Sequence, residues 1–292
     1  MAGVGRARAA VSIVNALPTG VGAAVGLEWV ARATATVTAD RRPDERLEIA
    51  PSRAGTPLVR SAVAAAIGRY APAEAGARRV VVRSTIPVAR GLKSSSAVSS
   101  AVASAVARAA GASPQPEEIA RLSAEVGRTT GTSATGAFDD ALAGLRAGGV
   151  VTDNRRDALL RVLPLERDLV AALWIPARRH PPSPSTRRRF ARSPALARRA
   201  ADAALDGDWR AAMAANTELV ERAMGYRYAR ARESVLRAGA VAAGVSGLGP
   251  TLVALSPRAR ARRVLAALPK GGGARRTVSL FLEPRRPAGG GV

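Results

Sequence analysis

Residues 84–97, STIPVARGLKSSSA, have the composition of a loop that holds a phosphate group. A β-branched strand precedes them, and the Ala, Val and Ser run that follows suits a buried helix. Free backbone amides and the positive dipole end of such a helix attract phosphate, and small residues let its oxygens approach closely. Ser94, Ser95 and Ser96 add hydroxyls for phosphate oxygens or a magnesium ion. For the serine run alone, a Ser-capped helix is the simpler interpretation.

The remaining chemistry must rest on carboxylates, hydroxyls, backbone amides and Lys93. The absence of cysteine excludes disulfides, thiolate chemistry and cysteine-ligated metals. The single histidine, His180, lies in a Pro- and Arg-rich stretch, which leaves a Ser-His-Asp mechanism or a His-rich zinc site without a ligand set. Two adjacent carboxylates, Asp139 and Asp140, begin the segment FDDALAGL, where capping of a helix is the simplest interpretation.

The formal net charge of +23 raises nucleic acid as a partner, because clustered basic residues bind a phosphate backbone. The charge is nearly all arginine and is scattered along a chain rich in Ala, Gly and Pro, which is typical of a GC-rich genome. We therefore expect no nucleic-acid partner, although the charge favours anionic ligands. The amino-terminal apolar stretch is interrupted by Asn15, Pro18 and Glu28, so we expect neither a signal peptide nor a membrane span.

The elements that must position these residues form an intermixed series of strands and helices. Alternating or β-branched runs predict strands at residues 10–14, 33–38, 77–86, 148–152, 168–175, 251–255 and 277–282. Helical patterns are at 57–70, 94–110, 116–126, 138–145, 195–206, 208–224, 227–238 and 257–268. Residues 178–194 read as an exposed loop where a lid or an interdomain link could lie. Without a regular βα alternation, the order favours an α+β fold, and the length favours two domains.

The segment PVARGLKSSSA resembles the second signature of the GHMP kinases, usually Pro-x-x-x-Gly-Leu-Gly-Ser-Ser-Ala. Lys93 in place of the second glycine, with an added serine, is similar to the archaeal-type shikimate kinase branch of that family. Three more blocks resemble the branch or the family in the same order: residues 5–28, TGAFDDALAG at 135–144 and GVSGLGPTLVAL at 244–255. The resemblance covers roughly residues 5–255.

This resemblance implies a two-domain GHMP kinase fold. Residues 1–160 would form an N-terminal, ribosomal-S5-like α/β domain that binds ATP. Residues 161–283 would form a ferredoxin-like α+β domain, and residues 284–292 a flexible tail. The residues expected to bind ATP and its phosphates are Pro87, Gly91, Leu92, Lys93, Ser94, Ser95, Ser96, Ala97, Gly247 and Gly249.

The resemblance also implies roles for three further groups. Asp139 falls at the position of the family's catalytic aspartate, which accepts the proton of the substrate hydroxyl or orients it, with Asp140 as the alternative. Glu125 falls near the family's magnesium-binding glutamate, with Ser95 as the second protein contact, although RTTG at 128–131 resembles an insertion between Glu125 and Asp139. The resemblance also implies that the acceptor pocket is lined by Asn15, Thr19 and Gly20.

The implied function is a cytoplasmic kinase that uses ATP and Mg²⁺ to phosphorylate the 3-hydroxyl of shikimate. Two alternatives stay open at this stage. One keeps the fold and changes the acceptor to homoserine, a mevalonate-like alcohol or a cyclitol. The other is a non-catalytic, basic nucleic-acid-binding protein, against which the low aromatic content argues because it removes stacking platforms for bases.

Overall fold

The structure, a computed structural model, describes residues 1–38, 47–50, 56–178, 183 and 185–283. The predicted tail at 284–292 and His180 lie outside the described residues. Two sheets with helices packed on them account for the described chain, which confirms the predicted α+β class. No helix in this part of the chain is long and apolar enough to cross a membrane.

The first sheet has six strands. They are β1 (Ala2–Val14), β2 (Val21–Thr38), β3 (Glu48–Ala50), β4 (Gly76–Ser84), β5 (Gly149–Asp153) and β6 (Ala158–Leu163). Their order is β3-β4-β2-β5-β6, with β1 on the other edge of β2. Four helices belong to this sheet: α1 (Thr56–Tyr70), α2 (Ser94–Ala109), α3 (Pro116–Thr129) and α4 (Phe138–Leu145).

Strand β1 begins at Ala2, eight residues before the predicted strand at 10–14. The prediction missed this part because it contains glycines, which here pack against helix α2. Along residues 2–8 the buried positions are Gly3, Gly5 and Ala7, which alternate with less buried ones. A Cβ at Gly5 would lie 1.9 Å from the Ala101 carbonyl oxygen of α2. This approach of helix to strand explains why β1 starts with glycines, which have low β-propensity.

Strand β2 pairs with two different strands along one edge. Its second half, from Ala31, pairs with β4, and its first half, Val21 to Val25, pairs with β5. Between these halves the register against β1 shifts, because Arg8 pairs with Val30 while Ala10 pairs with Gly26. Such a bulge bends a strand and increases its twist. Strand β2 therefore joins the two parts of the first sheet.

The second sheet has the order β10-β7-β9-β8 and is antiparallel throughout. Its strands are β7 (Leu169–Pro176), β8 (Ala242–Val245), β9 (Leu252–Pro257) and β10 (Gly273–Ser279). Its helices are α5 (Thr186–Phe190), α6 (Pro194–Asp206), α7 (Trp209–Met224), α8 (Ala229–Arg237) and α9 (Ala261–Ala267), the last preceded by a 3₁₀ turn. The chain order β-α-β-β-α-β with spatial order 4-1-3-2 is the ferredoxin-like arrangement.

The core is built largely of alanine and valine. Buried Ala and Val side chains of the sheet strands face those of α2, with Trp209, Phe138 and Phe190 among the few large buried rings. After β10 the chain returns to the first sheet, where the Phe281 N–H donates to the Gly26 carbonyl at 2.8 Å and Arg8 stacks on the Phe281 ring.

Most predicted helices are confirmed to within a few residues, whereas short strands were missed. Strands β3, β6 and β8 and the one-turn α5 had no prediction, and β10 ends three residues before the predicted strand at 277–282 does. The predicted domain boundary after residue 160 falls inside β6, which pairs with β5, and the first sheet ends at Leu163. The division into two domains stays a prediction.

Candidate active site

A cavity of about 690 Å³ lies where residues 85–96, called the serine loop from here on, meet the start of α4 and the loop after β8. This size is usual for small-molecule sites. Most of the predicted site residues line the cavity. They are Asn15, Gly91, Leu92, Lys93, Ser94, Ser95, Ser96, Asp139, Asp140, Gly247 and Gly249. The structure thus brings the predicted phosphate loop and the predicted catalytic pair to one cavity.

The start of helix α2 differs from a Ser-capped helix. Its N-cap residue is Lys93, which has left-handed backbone angles (φ 61°, ψ 33°) and gives no side-chain cap. A non-glycine residue in this conformation costs roughly 1–2 kcal/mol. The hydroxyls of Ser94, Ser95 and Ser96 have no hydrogen-bond partner among the described residues, and they line the cavity. The serine hydroxyls and the first-turn amides of α2 can therefore receive an anion.

One side chain of the glycine-rich loop after β8 fixes the serine loop. The Ser246 hydroxyl donates to the Gly91 carbonyl at 2.7 Å and accepts from the Ser12 backbone N–H at 3.0 Å. One turn later, the Thr251 hydroxyl donates to the Arg90 carbonyl at 2.6 Å. Because Ser246 is fully buried, these bonds are shielded from water. The block that resembles the third signature thus holds the serine loop in place.

Asp139 lies in the first turn of α4 with its side chain only 3% exposed. The Asn154 side-chain amide donates to its Oδ1 at 2.6 Å, and the Thr152 hydroxyl donates to the Asn154 Oδ1 at 2.6 Å. A Cβ at Gly22 would lie 2.7 Å from the Asp139 Oδ2, so only glycine fits there. The Asn154 amide and the close packing on Gly22 therefore fix the orientation of the Asp139 side chain.

Burial, together with the neighbouring negative charge of Asp140, raises the pKa of Asp139 to about 7. The Lys93 ammonium and the amide of Asn154 act in the opposite direction. A carboxyl group with a pKa near 7 is suited to exchanging a proton at neutral pH. The electrostatics of the site thus agree with acid–base chemistry at Asp139.

Asp140 pairs with Lys93 instead of capping the helix. The Lys93 Nζ lies 2.9 Å from the Asp140 Oδ2, with side-chain exposures of 12% and 8%. The Asp140 Oδ1 is buried and has no hydrogen-bond partner among the residues that the structure describes. The two adjacent aspartates are therefore in different environments, one beside an amide and one beside an ammonium.

Five predicted site residues do not line the cavity: Pro87, Ala97, Thr19, Gly20 and Glu125. Thr19 bonds the backbone of Val21 through its hydroxyl, as expected of a turn residue. Glu125 is exposed on α3, two residues beyond the buried Ser123, which does line the cavity. Two consecutive steps along a helix turn by about 200° around its axis, which agrees with Glu125 lying on the exposed face of α3 while Ser123 lines the cavity. The placement of a magnesium ligand at Glu125 stays a prediction.

Several residues that line the cavity were not predicted from the sequence. The loop between α3 and α4 supplies a wall from Gly131 to Ala137, and Ser99 and Ser123, whose hydroxyl oxygens are 2.6 Å apart, also line the cavity. Ser183, Thr186 and Arg187, within or next to α5, line it as well. Asn154 gave no sequence signal, since it lies in a turn fifteen residues after Asp139. The segment 178–194, interpreted from the sequence as an exposed loop, thus contributes described residues to the cavity.

Known proteins resemble the chain along most of its length. The family model "GHMP kinases N terminal domain" matches residues 58–148, and "GHMP kinases C terminal" matches residues 198–274. The curated shikimate kinase of Halobacterium salinarum is 36% identical over 254 residues, 85% of this chain and 86% of the relative. This chain is a GHMP kinase of the shikimate kinase branch. The shikimate kinase of Pyrococcus abyssi is 32% identical, with 88% of this kinase and 92% of the relative covered.

Solved structures show the same fold at low identity. Homoserine kinase from Cytophaga hutchinsonii superposes with a TM-score of 0.72 at 19% identity, covering 96% of both chains. Mevalonate kinase from Methanococcus jannaschii superposes with a TM-score of 0.72 at 15% identity, covering 96% of this kinase and 98% of that chain. The likeness to these two enzymes concerns the fold, and it leaves the acceptor of this kinase to the sequence relatives and to the site.

Proposed function

We propose that this kinase transfers the terminal phosphoryl group of ATP to the 3-hydroxyl of shikimate, and that Asp139 is the catalytic base. One observation carries the proposal: a buried, oriented carboxylate whose pKa is raised to about 7 lines the same cavity as the free serine hydroxyls at the start of α2. The shikimate kinases that are 32–36% identical over most of the chain support the acceptor.

ATP is proposed to place its phosphates on the start of α2, where backbone amides and the Ser94–Ser96 hydroxyls face the cavity. The catalytic contribution there is positioning and charge neutralisation, as in phosphoryl transfer generally. Asp139 would accept the proton of the attacking hydroxyl or orient that hydroxyl. In the same proposal, the Asn154 amide keeps the Asp139 carboxylate in one rotamer.

The residues present suit a magnesium ion held mainly by the nucleotide. Within the described ranges, no cluster of three or more His, Asp or Glu side chains could hold a metal. Magnesium commonly takes one or two protein oxygens and completes its shell with phosphates and water. Ser95 fits as such a contact because its hydroxyl is free and faces the cavity. When bound, the ion would neutralise phosphate charge.

An acceptor that carries a carboxylate matches the charge of the cavity. Arg187 lines it, and its guanidinium has no ion pair with any other residue that the structure describes. Shikimate and homoserine carry a carboxylate, whereas a cyclitol does not. Asn15, which also lines the cavity, is proposed to bind an acceptor hydroxyl. We also propose that the kinase works in the cytoplasm, where ATP is available.

The test is to incubate purified protein with ATP and Mg²⁺ and, separately, shikimate, homoserine, mevalonate or a cyclitol, and to follow ADP release. We expect shikimate to be turned over fastest, and phosphorus NMR of the product to place the phosphate on the 3-hydroxyl. Asp139→Asn is the control for ATP hydrolysis without transfer and should lose about 10²–10⁴-fold in turnover. Faster turnover of another acceptor would contradict shikimate as the acceptor. Near-normal turnover of Asp139→Asn would contradict Asp139 as the base.

A further inference from the structure

Lys93 uses only one of its hydrogen-bond donors. An ammonium group has three donors, and among the described residues its one partner is the Asp140 Oδ2 at 2.9 Å. Lys93 itself lines the cavity and is the N-cap residue of α2. A largely buried cation with unused donors beside an anion-binding helix start has the chemistry of a phosphate ligand.

The chain gives this ammonium a dedicated site. A Cβ at Gly247 would lie 3.0 Å from the Lys93 Nζ, so the glycine makes room for the amine. The backbone of Lys93 is left-handed, at the position where the family signature has glycine. Asp140 is largely buried, and its only ionic partner in the described chain is Lys93. A surface lysine would require none of these features.

We infer that Lys93 binds the terminal phosphoryl group of ATP during transfer, and that Asp140 is a positioning residue that holds the Lys93 ammonium rather than a second base. The inference rests on the proposed phosphoryl transfer but not on the identity of the acceptor. The ammonium bridges the Asp140 carboxylate and a terminal phosphoryl oxygen, and it keeps its proton and its charge throughout.

Two physical reasons favour this division of roles. A cation held in place before the reaction stabilises charge without reorganisation, which is where electrostatic catalysis gains most. Asp140, in turn, contacts the Lys93 ammonium, whereas Asp139 accepts from the Asn154 amide. Of the two adjacent carboxylates, Asp140 is the one placed to fix a cation.

The test compares the Lys93→Met and Asp140→Asn single variants and the double variant with wild type. Equilibrium binding of ADP and of a non-hydrolysable ATP analogue, both with Mg²⁺, is measured by calorimetry, alongside kcat and KM. In Lys93→Met we expect the preference for the analogue over ADP to fall roughly 10- to 100-fold, as for a lost hydrogen bond to a charged group. The kcat should fall about 10²–10³-fold, as for one lost charge-stabilising donor.

The double variant decides whether Asp140 acts through Lys93. Either single variant leaves a buried charge without its partner and can unfold the protein, whereas Met and Asn together leave no charge. We expect the double variant to lose no more kcat than Lys93→Met, because Asp140 has no role without the ammonium. As a matched control, Arg232→Met with Glu221→Gln removes another partly buried ion pair, with Nη2–Oε2 at 3.1 Å, and should leave the nucleotide preference unchanged.

Two results would overturn the inference. One is a double variant with wild-type kcat and nucleotide preference, which would make the pair purely structural. The other is an equal loss of kcat from Asp140→Asn with and without Lys93, which would give Asp140 an independent role. If shikimate is not turned over but Lys93 still sets the preference for the analogue, the acceptor is wrong and the inference stands.

Discussion

Asp139→Asn should make the kinase more stable while it makes it inactive, and the gain should depend on pH. The pKa of Asp139 is raised from 3.8 to about 7 in the folded protein, so ionisation there opposes folding. At about 1.36 kcal/mol per pKa unit, the ionised group costs the fold on the order of 4 kcal/mol above pH 7. The cost falls as pH drops towards 4, because both the folded and the unfolded chain then bind the proton. Roughly 2–3 kcal/mol of it should develop between pH 5 and pH 8.

Urea unfolding of wild type and Asp139→Asn between pH 5 and pH 8.5 measures this difference directly. Asparagine keeps the Oδ1 that accepts from the Asn154 amide, so the orienting bond survives the substitution. The matched control is Asp202→Asn, at an exposed carboxylate of α6, where no growing gap is expected. In wild type, kcat/KM should decline below about pH 7 as the base protonates. A stability gap between wild type and Asp139→Asn that does not change with pH would refute this reasoning.

Three further predictions concern residues around the cavity. Asn154→Ala removes a hydrogen-bond donor that lowers the pKa of Asp139. The acid limb of the pH–rate profile should therefore move up by about one pH unit, the size expected for a bond to a charged group. An acid limb at the wild-type pH would contradict the role of the amide. Ser246→Ala removes the hydrogen bond to the Gly91 carbonyl and should lower the free energy of urea unfolding by about 1–3 kcal/mol. It should also raise KM for ATP. An unchanged KM would mean that other contacts hold the serine loop. Glu125→Gln should leave the magnesium dependence of turnover unchanged, and a higher magnesium requirement would support that residue as a ligand.

The sequence predicted the larger elements because their signals are local. Consecutive residues carry the signals for two helices: the Ala, Val and Ser run of α2 and the capped start of α3 at Pro116. Strands β3, β6 and β8 are three to six residues long, and they exist because a neighbouring strand pairs with them. Glycines that pack against a helix, as in β1, look like a break in a strand until the helix is known.

The site divides in the same way. Gly91, the serines and Asp139 carry a local signature, and they line the cavity. Asn154 and Ser246 act across 15 and 155 residues of chain, so no nearby pattern marks them as partners of that site. Glu125 is exposed on α3 and does not line the cavity, and its predicted role as a magnesium ligand stays a prediction.

The bulge in β2 lies between the part of the strand that pairs with β5 and the part that pairs with β4. Strand β4, which leads into the serine loop, ends opposite Ala31, and β5, which follows the helix of Asp139, begins opposite Val25. Six residues of β2, roughly 20 Å of extended strand, therefore set the spacing between the end of β4 and the start of β5. Lengthening β2 at the bulge would shift β4 relative to β5, so the contact of Lys93 with Asp140 depends on the length of a strand to which neither residue belongs.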